Sequence, residues 1–154
     1  MAENITIGES LNANRFSNIY FSGQPKKKDL LRLKEQGFKT IINLRGPKEY
    51  DENVERQLIS EEGLSYYNIP FYADANLSDE YIQKVTQTVM KHRKDGKLLI
   101  HCSAGDRVGV WLAGHFYKDH KFSQDKSLEM AKKLGLNNPQ AITKVRNYFA
   151  AEDI

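Results

Sequence analysis

Short β-prone runs alternate along this chain with stretches whose apolar residues recur at helical spacing. Ile19-Tyr20-Phe21 is the first such run, and Ser22-Gly23-Gln24-Pro25 ends it. Pro25 suits the first turn of a helix, and Leu30, Leu31 and Leu33 give that helix an apolar face up to Gly37. Residues 39–44 read as a buried strand stopped by Arg45-Gly46-Pro47, and Val54, Leu58 and Ile59 place a helix before Gly63. Residues 65–69 form the next strand, with Pro70 closing it. Ser78 is a good cap for a helix carrying Tyr81, Ile82, Val85, Val89 and Met90. Residues 97–101 are a third strong strand, and 108–117 are so uniformly apolar that their helix belongs in the interior. Ser123 caps a further helix, and Asn138-Pro139 opens a last one with Ile142, Val145 and Phe149 facing inward.

Strands that alternate with helices predict an α/β fold, a mainly parallel central sheet with helices on both faces. Such sheets hold ligands at the carboxyl ends of their strands. Four segments fall there: 22–25, 45–49, 71–76 and 102–107. There is no internal repeat or linker, so residues 1–154 are expected to form one domain.

Composition changes this picture little. A chain of 154 residues can bury a core without disulfides, and its one cysteine could not form an internal one. That usage fits a reducing compartment, and no secretory-leader pattern opens the chain, so a cytoplasmic location is expected unless a leader has been trimmed. No run approaches a membrane span. The net charge of +3 is spread along the chain, with Lys26-Lys27-Lys28 the only basic run, so no nucleic-acid partner is expected. Oligomeric state is not readable.

The chemistry concentrates in His101-Cys102-Ser103-Ala104-Gly105-Asp106-Arg107-Val108-Gly109, which runs from a strand end into the buried helix. Backbone N–H groups of Ser103, Ala104, Gly105 and Asp106, with the open amides of a helix N-terminus, would cradle an anion. Arg107 can grip two phosphate oxygens at once. The same surroundings favour the thiolate of Cys102 over its thiol. His101 reads as a hydrogen-bonding support for the loop. A lone cysteine without paired His spacing gives no metal site, and no cofactor is expected. Asp106 is expected to face outward or to pair with a cation, since its carboxylate would repel a bound phosphate.

Here the chain resembles the cysteine-dependent protein tyrosine and dual-specificity phosphatases, whose signature is His-Cys, five residues, then Arg and usually Ser or Thr. FSGQPKKKDLLRLKEQGFKTIINLR, followed by Glu49 and YYNIP, looks like bacterial phosphatases related to the beta-lactamase hydrolase-like proteins. The resemblance implies a dual-specificity-phosphatase-like fold, Cys102 as nucleophile of a phosphocysteine mechanism and Arg107 as its phosphoryl-stabilising cation. It also implies a general acid on the loop after the preceding strand, where Asp74 stands, and a phosphorylated protein or small molecule as substrate. Arg45 would sit at the pocket rim, contacting substrate or pairing with Glu49. Two positions depart from the pattern. Arg107 follows Cys102 after four residues, and one residue is worth about 3.5 Å of reach, so the cradle must differ. Val108 stands where the hydroxyl residue is usual, which implies slow turnover.

Three functions compete at this stage. The first is a phosphatase. The second is a rhodanese-like sulfurtransferase, whose shorter loop matches the four-residue spacing, although Asn43 replaces the usual Asp of its upstream motif. The third is a non-catalytic phosphate-binding module.

Overall fold

The computed structural model describes residues 3–153. Six strands form one sheet: β1 (Glu3–Ile7), β2 (Leu11–Phe16), β3 (Ile19–Ser22), β4 (Phe38–Asn43), β5 (Ser65–Asn68) and β6 (Lys97–His101). Their spatial order is β1-β2-β3-β6-β4-β5. The four strands β3, β6, β4 and β5 are mutually parallel, β2 pairs antiparallel with β3, and β1 pairs antiparallel with β2 at the sheet edge. The mainly parallel α/β sheet expected from the alternation is therefore present, with a hairpin added before Ile19.

Central parallel strands are covered on both faces, which is why β4 and β6 read as nearly continuous apolar runs. Successive side chains point to opposite faces, and the core divides accordingly, with an irregularity in register between Phe38 and Thr40 that brings Phe38 to the face of Ile41. Ile42, Leu98 and Ile100 face one cluster with Trp111, Val85 and Phe149. Phe38, Ile41 and Leu99 face the other with Leu33, Ile59 and Tyr66. The first cluster is closed by α3 (Asp79–His92), α4 (Asp106–Lys118), α5 (Gln124–Lys133) and α6 (Pro139–Glu152). The second lies under α1 (Lys27–Leu33) and α2 (Glu52–Glu61).

Ser78, Ser123 and Asn138 cap α3, α5 and α6 with their side-chain oxygens, as their positions before apolar-periodic stretches predict. Two inward assignments are corrected. Leu31 is exposed while Leu30 and Leu33 are buried, because the i, i+3 pair alone defines the inner stripe of α1. Val54 is 62% exposed, because α2 packs through Glu55 and Ile59. Among the described residues no helix is long and apolar enough to cross a membrane.

Candidate active site

Residues 102–107 connect the innermost strand, β6, to the buried helix α4. Gly105 adopts φ +95°, a backbone conformation that side-chain-bearing residues seldom tolerate, and serves as the N-cap of α4. This left-handed step turns the chain within the shortened loop. It also aims the Gly105 N–H at the Cys102 Sγ, 3.1 Å away. The amides of Asp106, Arg107 and Val108 form the open first turn of α4, where a helix presents unpaired N–H groups and the positive end of its dipole. Cys102 itself is 1% exposed and belongs to the core cluster.

All four segments expected at the strand carboxyl ends meet here. From the β3–α1 loop, Gln24 N–H donates to the Ser103 carbonyl at 2.9 Å, and Gly23 packs against the same carbonyl. From the β4–α2 loop, Glu49 receives Arg107 in a two-pronged ion pair, 2.7 Å on each oxygen. Glu49 Oε2 also accepts the Gly46 N–H at 2.6 Å. From the β5–α3 loop, the Phe71 carbonyl accepts a longer bond from Arg107 at 3.5 Å. The Arg107 hydrogen bonds hold the Glu49 carboxyl below the usual carboxylate range, and Glu49 in turn raises the already high pKa of Arg107. A cavity of about 310 Å³ opens beside Arg107, walled by Phe71, Tyr72, Val110 and Ala141 with Lys144 and Gln140.

The sequence-derived site residues separate into groups. Cys102, Gly105 and Arg107 stand together. Ser103 and Ala104 take part through their backbone, with exposed side chains. Asp106 neither faces open solvent alone nor pairs with a cation. Its Oδ1 accepts the N–H groups of Asn137 and Asn138 at 2.8 and 2.9 Å, which fastens the α5–α6 connection to the start of α4. Asp74 is exposed, one residue beyond Ala73 on the cavity wall, and makes no hydrogen bond among the described residues.

Arg45 does not pair with Glu49; that expectation is corrected. Its guanidinium is buried, donates to both oxygens of Glu55 at 3.0 and 3.1 Å, and stacks 3.9 Å over the Tyr50 ring. Asn43 and the Tyr66 hydroxyl donate to the same Glu55, and Gln24 adds a fourth donor at 3.0 Å. This buried network braces the ends of β4 and β5 underneath the site. His101 lies beside it, fully buried. Because a carbonyl only accepts, the contact to the Cys102 oxygen at 3.4 Å puts the proton on Nδ1, leaving Nε2 bare and unpartnered. Burial pushes its pKa down to about 4, so the ring is neutral at ordinary pH.

Glu49 and Lys144 were not singled out from sequence as site residues. Glu49 stands four residues after Arg45, which invites a pairing that the intervening loop does not make. Nothing local to Lys144 signals its place, because α6 reaches the cavity only through the tertiary fold.

A mainly parallel sheet with a Cys-to-Arg loop between its innermost strand and a buried helix defines the dual-specificity-phosphatase-like class. The chain belongs to the family described as DSP-PTPase phosphatase fused to NAD+ kinase, whose model matches residues 3–145. A beta-lactamase hydrolase-like protein of Xylella fastidiosa is 24% identical over 129 residues. That match takes in 81% of this chain and 29% of the relative, so the chain spans under a third of that protein. Among solved structures, Pseudomonas aeruginosa TpbA in complex with phosphotyrosine superposes with a TM-score of 0.73 at 19% identity, covering 94% of this chain and 86% of the other. The core catalytic domain of the PP-IP phosphatase SIW14 from S. cerevisiae, in complex with citrate, gives 0.67 at 20% identity, covering 86% and 81%. These likenesses establish the shared fold.

Proposed function

We propose that this chain hydrolyses phosphate monoesters through a phosphocysteine formed on Cys102. The observation that carries the reading is the meeting of Cys102 Sγ, the Gly105 N–H, the open first turn of α4 and Arg107 at one strand end. The thiolate attacks phosphorus as the ester P–O bond breaks, and the leaving oxygen takes a proton from Asp74. Water then attacks phosphorus and gives a proton to the Asp74 carboxylate as the P–S bond breaks, which releases phosphate and restores both the thiolate and the acid. Arg107 and the loop amides carry the charge on the transferring group, where fixed donors act most strongly. Asp74 rides on an exposed turn at the cavity mouth, a position from which a carboxyl group can follow a substrate. Val108 lies in the core, so the second step proceeds without a neighbouring hydroxyl.

The near-complete burial of the sulfur makes access a condition of this mechanism. Substrate reaches Cys102 only if the residues around the sulfur give way. The same burial also favours a second reading, a phosphate-binding module without turnover. Hydrolysis of p-nitrophenyl phosphate separates the two. The parent protein is expected to turn it over, and Cys102→Ser, a near-isosteric change, to abolish this. A parent protein that binds inorganic phosphate and shows no Cys102-dependent hydrolysis would leave only the binding module.

A further inference from the structure

The segment that carries Asp74 has few anchors. Phe71 is buried and its N–H donates to the Leu44 carbonyl at 2.9 Å, and Leu77 is buried at the far end. Between them Tyr72, Ala73, Asp74 and Asn76 are exposed, and the only internal bond is a tight turn, Ala75 N–H to the Tyr72 carbonyl at 3.0 Å. A five-residue excursion of this kind opens readily unless something outside it holds it down.

Lys144 of α6 supplies a polar contact from outside, beside the packing of Ala75 against the core. Its ammonium donates to the Ala75 carbonyl, the last residue of the turn, and lies 5.4 Å from the centroid of the Phe71 ring. Among the described residues no carboxylate comes within ion-pair distance of it. A part-buried lysine is more often matched with an acid; this one is committed to a carbonyl and an aromatic face, both on the same loop. Arg107 reaches the other end of the loop through the Phe71 carbonyl. Two cations from different helices thus hold the two ends of the turn, and both line the cavity beside the anion loop.

We infer that Lys144 is a positioning residue, a tether from α6 that holds the 72–75 turn, and Asp74 with it, over the site. This rests on the phosphatase reading for its catalytic consequence, and on geometry alone for the tether. Lys144 does not touch the reacting atoms; it acts through Asp74.

The test substitutes Lys144→Met, which keeps the apolar stem and removes the ammonium. Hydrogen exchange of the Ala75 amide, the hydrogen-bonded one of the turn, is expected to speed up about tenfold relative to the parent, with exchange in α6 unchanged. Phenyl phosphate, whose leaving group needs a proton, should lose about tenfold in kcat/KM, which reports the first step, a fraction of what general acids supply. The 2,4-dinitrophenyl ester, which leaves unaided, should stay within about twofold. Lys144→Arg should restore much of the loss. Adding Asp74→Asn to Lys144→Met should cost nothing beyond Asp74→Asn alone, since both act through one group. Unchanged exchange at the Ala75 amide overturns the tether, and equal losses on both esters, or multiplying losses in the double variant, overturn its role through Asp74. A parent protein inert to both esters defeats the phosphatase reading instead, while the exchange measurement still decides the tether.

Discussion

His101 combines full burial, a neutral ring and an unpartnered Nε2, and these make its cost depend on pH. Its folded-state pKa of about 4 lies below the 6.5 of a free histidine, so between those values the unfolded chain binds a proton that the folded one refuses. Its contribution is therefore whole above about pH 6.5 and is lost progressively as pH falls toward 4. By pH 5 the loss amounts to about 2 kcal/mol. Urea unfolding of the parent and of His101→Gln, at pH 7.5 and pH 5, should show the gap in stability between them shifting by that amount in favour of the variant. A gap that does not move with pH would mean that the ring is protonated in the folded state. At this scale the sequence pointed to the residues of the candidate site more readily than to their partners. Cys102, Gly105 and Arg107 could be named because local order at a strand-to-helix junction dictates their chemistry. The partners of Arg45 and Asp106 could not, since Glu55 and the amides of Asn137 and Asn138 reach them only through the folded chain.

Elements were legible wherever apolar spacing and a cap agreed. β6 matches its expected residues throughout, and the start of α6 follows from Asn138-Pro139. The hairpin of β1 and β2 escaped because it lies at the sheet edge and buries only Ile7 and Ala13 deeply, too few positions to set a period. Its turn is instead fixed from afar, by Asp29 accepting the N–H groups of Glu9 and Ser10 at 2.9 and 2.8 Å. The Glu49–Arg107 pair likewise joins elements, the β4–α2 loop to the start of α4. Both side chains are partly exposed, so the pair adds under about 1 kcal/mol to stability, while it fixes which way the Arg107 fork points. Glu49→Gln should then lower kcat/KM for p-nitrophenyl phosphate about tenfold, with the melting temperature moving by no more than about 3 °C. A rise in kcat/KM would instead identify Glu49 as a carboxylate that competes with substrate for Arg107. Because Arg107 holds the Glu49 carboxyl below its ordinary range, the pair is intact at neutral pH and parts only as pH falls through that lowered value.

For the molecule as a whole, topology is what assembles the site. Parallel strands send their carboxyl ends to the same side, so loops distant in sequence converge without any of them encoding the others. The convergence of 22–25, 45–49, 71–76 and 102–107 could be expected from alternation alone; how closely they approach could not. The tightest approach joins the first and last of them. A β carbon placed on Gly23 would lie 2.8 Å from the Ser103 carbonyl oxygen and 3.4 Å from backbone atoms of Ala104. Those atoms are backbone, which cannot swing aside as a long side chain would, so Gly23→Ala must displace the loop that carries Cys102. The displacement falls on the exposed residues 103 and 104 rather than on the core, and overpacking at such a place costs about 1 kcal/mol, the low end of its range. Catalysis is less forgiving, since a misplacement of about 1 Å can cost on the order of a hundredfold. Gly23→Ala is therefore expected to fold, to melt within a few degrees of the parent, and to lose at least about tenfold in kcat/KM. Unimpaired hydrolysis by a well-folded Gly23→Ala would show that the anion loop is positioned from β6 and α4 alone, with no contribution from the β3–α1 loop.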